Sequence, residues 1–228
     1  MTELEDQILT HVGLYQISFA RVIERRILND EPCGRVMNQL ATQRRIRIRK
    51  GLPGRSPKYY QLTRTELKRR GLPEWHSKRP APQAFTTAVS VLWFCNMAGG
   101  ERHLLQSINA DRLFSNGLPE GTHCIERSDD GHCLYRLRIA ASHSDPEWSC
   151  LRKSLRKRVA QAVTYPGLRP WVTSGRYAFA VLTDSEDHAK AIRQMIETDE
   201  LISCCGTITV ENVRVLPASV PECVLHDR

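Results

Sequence analysis

Residues 35–63 read RVMNQLATQRRIRIRKGLPGRSPKYYQLT, and their hydrophobic period changes partway along. Val36, Met37, Leu40 and Ala41 recur at helical spacing, which predicts a helix with one apolar side. From Arg45 to Arg49 arginine and isoleucine alternate, the two-residue period of a strand. Lys50–Lys58 holds two glycines and two prolines and predicts a loop. Tyr59-Tyr60-Gln61-Leu62 alternates again and closes a hairpin.

Toward the N-terminus, Leu4, Ile8, Leu9 and Val12 predict a helix over 3–13. Thr2 suits its N-cap, Glu3, Glu5 and Asp6 its first turn, and Gly13 its end. A second helical pattern runs from Ile17 to Leu28 and is broken by Asn29-Asp30-Glu31-Pro32. Asp30 is the expected cap of the third helix, with Pro32 in its first turn. Beyond the hairpin, Thr63 opens a short helix to Arg70, ended by Gly71 and Pro73. Three helices followed by a two-stranded hairpin is the order of a winged helix-turn-helix.

Toward the C-terminus, residues 74–83 (EWHSKRPAPQ) lack periodicity and predict a linker. An apolar helix is expected over Ala84–Met97, stopped by Gly99-Gly100, and another helix over Arg102–Asn116. Strands are expected over His123–Glu126 and Cys133–Ala140, around a turn at Ser128-Asp129-Asp130-Gly131. A helix capped by Asp145 with Pro146 at its first position runs to Ala162, and a buried strand covers Tyr177–Leu182. A helix capped by Asp184 or Ser185 runs to Glu197, and Thr207–Leu216 is a last strand. The predicted fold class is α+β. Residues 1–73 form the winged helix-turn-helix, 74–83 a linker, 84–218 a small α/β domain and 219–228 a tail.

The charge is unevenly spread. Of 33 Lys and Arg and 25 Asp and Glu, residues 1–80 hold 17 and 8, and the remainder hold 16 and 17. The whole basic excess therefore lies in the first third, which points to a polyanionic partner for that third alone. No basic amphipathic helix with a broad apolar face accompanies the charge, and Ala88–Ala98 is too short to span a bilayer, so a membrane partner is not expected. The acidic start MTELEDQ has no apolar region behind it, which reads as cytoplasmic, with the eight scattered cysteines reduced.

Arg35, Asn38, Gln39, Thr42 and Gln43 on the third helix are the candidate base contacts. Arginine forks onto guanine O6 and N7, and Asn or Gln onto adenine N6 and N7. Arg44, Arg45, Arg47, Arg49, Lys50, Arg55 and Lys58 put seven cations into fifteen positions with no acid among them. A protected edge strand would also carry charge, but usually of mixed sign or as lysine. A run made mostly of arginine suits phosphate oxygens and narrow minor grooves, with Arg55 at the hairpin tip. Arg21, Arg25 and Arg26 before the turn, and Arg64 and Lys68 behind the hairpin, complete the candidate phosphate contacts. Tyr59 and Tyr60 read as packing residues and no aromatic RNA-binding motif is present, so duplex DNA is the expected partner.

No catalytic residue, metal site or cofactor is expected. His123-Cys124 and His132-Cys133 repeat a His-Cys pair, but neighbours on a strand face opposite sides, so each pair offers one ligand to a given side. Ser128-Asp129-Asp130-Gly131 reads as a turn. The strand after it carries Arg136 and Arg138 where a magnesium nuclease places a carboxylate and a lysine. No nucleophile elbow, phosphate-binding loop or dinucleotide motif occurs. Arg152, Lys153, Arg156, Lys157 and Arg158 form a basic helix face that is either solvated or a second DNA contact.

The segment Ile8–Leu67, with the stretch quoted above and its Tyr60-Gln61-Leu62-Thr63 ending, resembles the winged-helix part of the replication-relaxation family of plasmids and integrative elements. That resemblance implies a following α/β region of restriction-endonuclease-like fold, in which DDGHCLYRLRIA (129–140) is similar in position to an Asp-Gly-strand segment. Arg136 and Arg138 stand where the family pattern expects an acidic residue, so no nuclease role is carried over. The resemblance implies DNA binding in replication, transfer or transcription control of mobile DNA.

The expected function is sequence-specific binding of double-stranded DNA by a non-enzymatic regulator, a repressor or an accessory of a mobile element. A homodimer is expected, because one recognition helix covers half a site. Phe85–Met97, with Val89, Leu92, Trp93 and Phe94, is either its dimer surface or the core of the second domain. That domain's effector ligand or protein partner is left open. The alternatives are a nuclease or relaxase accessory targeted by the winged helix, and a protein-interaction module.

Overall fold

The computed structural model describes residues 2–50, 58–99, 101–105, 114, 117–128, 131–140, 145–183, 185–203 and 207–212. The chain is α+β and divides into two compact units, one holding residues 1–99 and one residues 100–214. Among the described residues no helix is long and apolar enough to cross a membrane.

In the first unit, α1 (Glu3–Tyr15) opens on a capping box. Glu5 N donates to Thr2 Oγ1 (3.2 Å), and Thr2 N donates to Glu5 Oε2 (2.9 Å). Gly13 does not end this helix, which runs on to Tyr15. Gly13 is instead a packing position: a Cβ there would lie 2.7 Å from Leu72 Cδ1 and 3.1 Å from Leu62 Cδ1. The helix ends where Gln16 turns to φ +67°.

Helix α2 (Ala20–Ile27) starts three residues later than the apolar spacing predicts. The reason is tertiary. Ser18 pairs with Tyr60 as an antiparallel bridge, exchanging hydrogen bonds of 3.0 and 2.8 Å, so Ile17 and Ser18 are spent on the hairpin. Asn29 and Asp30, both at positive φ, then make the tight turn into α3 (Gly34–Thr42). Asp30 does not cap α3, nor does Pro32 enter it. The N-cap is Cys33, without a side-chain bond, and its amide donates to Glu24 Oε1 (3.1 Å) from α2.

Strands β1 (Ile46–Arg49) and β2 (Tyr59–Leu62) pair antiparallel, Arg47 opposite Gln61 and Arg49 opposite Tyr59. Helix α4 (Arg64–Arg69) follows, capped by Thr63, which accepts from Glu66 N (3.3 Å). Ile8, Leu9, Val12, Ile23, Met37, Leu40, Ile46, Tyr60, Leu62 and Leu67 form one buried cluster that joins all these elements. At roughly 1.5–3 kcal/mol for each large apolar side chain, this burial is the main force holding the unit together.

Residues 74–83 are not a free linker. Glu74–Ser77 form a 3-10 turn, and the Gln61 amide donates to both His76 O and Lys78 O (2.8 Å for the latter). Helix α5 (Pro82–Asn96) belongs to this first unit, so the boundary falls after Gly99 rather than in the 74–83 stretch. Phe85 packs against Tyr59 (ring centroids 5.3 Å) and Phe19 (6.5 Å), tying α5 to the hairpin. Val89, Leu92 and Phe94 are fully buried within the chain, so the expected dimer surface on this helix is not an exposed face.

His11 is a half-buried side chain whose Nε2 lies 3.0 Å from Ser18 Oγ. Burial, reinforced by Arg26, holds its pKa down at about 4 against an ordinary 6.5. A histidine neutral when folded but charged when unfolded contributes stability above pH 6.5 and loses it as pH falls toward 4. The urea midpoint is therefore expected to drop between pH 6.5 and 5, above the range where the carboxylates titrate. In His11→Gln that drop should be smaller; an identical pH profile would refute this role.

The second unit is a five-stranded sheet in the order β3 (Glu101–Leu104), β4 (Thr122–Ser128), β5 (Gly131–Ala140), β6 (Tyr177–Thr183), β7 (Thr207–Asn212). The first three strands are antiparallel and the last three parallel. The parallel pairs require crossovers. These are α6 (Asp145–Thr164) with α7 (Arg169–Thr173), then α8 (Glu186–Glu197) with α9 (Glu200–Ser203). The helix expected over Arg102–Asn116 is an edge strand at its start; residues 106–113, 115 and 116 lie outside the described set, as does Asp184. Ser185 caps α8, accepting from His188 N (3.2 Å). The last strand is described over Thr207–Asn212; residues 213–228, with the rest of the expected strand and the tail, lie outside the described residues. Strand β6 is buried on both faces, and Leu151, Leu155, Val159 and Ala162 of α6 pack over β5 and β6.

Candidate nucleic-acid interface

The candidate base-contact residues on α3 are all exposed. Arg35, Asn38 and Thr42 follow a three- and four-residue spacing that puts them on one face. Thr42 Oγ1 donates to the Asn38 backbone carbonyl (3.0 Å). Gln39 is more constrained than its exposure implies, since its Nε2 donates to Glu5 Oε1 (2.9 Å) on α1. Gln43 is the C-cap residue.

The hairpin cations separate into two groups. Arg45 is not available to a ligand. It is buried, and its guanidinium forks onto Glu66, with Nε to Oε2 at 3.0 Å and a terminal nitrogen to Oε1 at 2.8 Å. Glu66, itself buried, also accepts from Arg70 Nε (2.8 Å), and Arg70 reaches on to Asp6 and Thr10 of α1. Burial pushes the Glu66 carboxyl up, but the Arg45 and Arg70 guanidiniums outweigh it and hold it below the ordinary carboxylate range. Arg45 is thus a tie between hairpin, α4 and α1. Arg44, Arg47, Lys50 and Lys58 are exposed, while Arg55 lies outside the described residues.

Arg49 is half-buried. Its Nε donates to Gln61 Oε1 (3.2 Å) and a terminal nitrogen to Ser77 O (3.1 Å), so it braces the hairpin against the 3-10 turn. Arg64 pairs with Glu74 at an exposed site. Arg21 pairs with Asp30 (3.3 Å). Arg25, Arg26 and Lys68 are exposed.

On the face of β1 that carries Arg47 and Arg49, an open groove of about 690 Å³ is lined by those two residues with Arg64, Glu74, Trp75, Ser77, Lys78 and Arg79. Five cations face one carboxylate there. Trp75, Lys78 and Arg79 lie in the segment whose lack of periodicity predicts a linker, so local pattern does not mark them. The only local signal was the Lys78-Arg79 pair; what brings the segment to the groove is the Gln61 side chain.

In the second unit, the His-Cys pairs do not converge. The register sets His123 opposite Arg136, Cys133 opposite Glu126 and His132 opposite Arg127. Arg136 is buried and bonds Gln161 Oε1 (3.0 Å) and the Glu120 carbonyl. Arg138 lies on the same face of β5, and Arg158 of α6 joins them; burial first, then Arg136 and Arg138, lower the Arg158 pKa. Burial, then Arg136 and Arg158, hold His123 at about 4. That field is positive and would repel a divalent cation. Of the basic α6 face, Arg152 and Arg156 both donate to buried Asp199 (2.7 Å each), which burial pushes up and the two guanidiniums pull down to about 2. Lys153 and Lys157 stay exposed. Comparison with protein-family models, curated proteins and solved structures finds no match to this chain.

Proposed function

We propose that the first unit is a winged helix that binds double-stranded DNA, with α3 as recognition helix and the β1–β2 hairpin as wing. The observation that carries this is the exposed set Arg44, Arg47, Lys50 and Lys58, which has no ion-pair partner among the described residues although Arg45 beside it does. Cations left in solvent without carboxylates lower the free energy of a nearby phosphate backbone by releasing its counterions. Arg35, Asn38 and Thr42 on one α3 face supply donors and acceptors of the kind that read base edges. We take the role to be binding without catalysis, in a regulator or an accessory of mobile DNA. The cationic face of β5 favours this over metal-dependent cleavage. A homodimer on paired half-sites and a cytoplasmic location are part of the same proposal.

Fluorescence anisotropy on a short duplex across a salt series tests it. The expected slope of log K against log salt is roughly −4 or steeper, at about −0.9 for each phosphate contacted. A salt-independent signal, or no binding at low salt, would sink the proposal. Once fragments selected from a random duplex pool define a preferred site, Asn38→Ala should lose discrimination at one adenine by roughly 5- to 100-fold, and bind non-specific duplex unchanged. Intact discrimination would remove α3 as the reading helix.

A further inference from the structure

The groove beside β1 differs from an ordinary phosphate-binding surface in holding an aromatic ring. Trp75 is 62% exposed, at the rim of a concavity lined by Arg47, Arg49, Arg64, Lys78 and Arg79. Tryptophan carries more apolar surface than any other side chain, and leaving it in water is costly unless a partner covers it. Its backbone does not drift: the 3-10 turn is pinned by the two hydrogen bonds from Gln61 and by the Arg49 bond to Ser77 O. The His76 ring abuts Trp75 edge to face (centroids 4.1 Å) and limits the rotation of the indole. About 690 Å³ is in the range of pockets for single small molecules and far too little for a duplex.

We infer that this groove takes an unpaired nucleotide of single-stranded DNA, its base stacked on Trp75 and its phosphates held by the surrounding arginines and Lys78. The chemistry is that of strand-binding proteins, where aromatic faces take bases of any sequence and cations track the backbone. This rests on the reading of the first unit as a duplex binder, and it goes further. The hairpin cations that grip a duplex continue into a groove suited to one frayed or displaced strand. The favoured substrate is a junction where duplex gives way to single strand.

The test uses the full chain and three probes at one salt concentration: a blunt duplex, the same duplex with a short thymidine tail at either end, and the same duplex with an abasic tail of equal length. The abasic tail matches the phosphate count, so the difference isolates base stacking. The thymidine tail at one of the two ends is expected to bind roughly 5- to 150-fold more tightly than its abasic counterpart. Trp75→Ala should abolish that difference, Trp75→Phe should keep most of it, and both should leave blunt-duplex affinity and Tm unchanged. Equal affinity for thymidine and abasic tails, or a difference that survives in Trp75→Ala, overturns the inference. Absence of blunt-duplex binding with the tail effect intact would instead sink the duplex reading alone.

Discussion

Replacing Glu66 by alanine is expected to destabilise the first unit by about 3–5 kcal/mol, the cost of leaving buried charge without its partner. Glu66 is 3% exposed and accepts from both Arg45 and Arg70. Without it, the Arg45 guanidinium remains in a low-dielectric site with only the more distant Glu5 and Asp6 carboxylates to offset its charge, while Arg70 keeps Asp6 and Thr10. Domains are stable by only about 5–15 kcal/mol, so a large part of the total goes with this one carboxylate. The paired replacement Arg45→Met with Glu66→Leu should recover much of the loss, because an apolar pair needs no desolvation of charge. Urea melts followed by circular dichroism would read both. A Glu66→Ala midpoint close to that of the unchanged protein would show that the network is not what joins hairpin, α4 and α1.

The second large effect concerns binding. Arg47, Lys50 and Lys58 are exposed and make no ion pair among the described residues, so replacing all three by alanine should leave Tm unchanged. Loss of three phosphate contacts should flatten the slope of log K against log salt by roughly 3 and, at about 0.1 M salt, weaken duplex binding on the order of 100-fold. The weakening should be uniform across sequences, because phosphates carry no base identity. An unchanged slope would mean that these cations never meet a backbone. Arg45 is the internal control in this comparison. It belongs to the same run of arginines, yet its loss should appear as unfolding rather than as a changed salt dependence.

The contrast between Arg45 and Arg47 marks how far local pattern reaches. The alternation IRIR announced the strand, and Thr2 with Glu5 announced the start of α1, because strand period and helix caps are set by residues within a few positions of one another. The α+β class, the order of three helices and a hairpin, and the exposed face of α3 were legible for the same reason. What the tertiary structure decided were the pairings across distance. Glu66, twenty-one positions away, withdraws Arg45 from the surface; Tyr60 recruits Ser18 and shortens α2; Gln61 folds the supposed linker back until Trp75, Lys78 and Arg79 line the groove. Each of these depends on a side chain whose partner is brought near only when the chain has collapsed on its apolar core, and no window of neighbouring residues encodes that proximity.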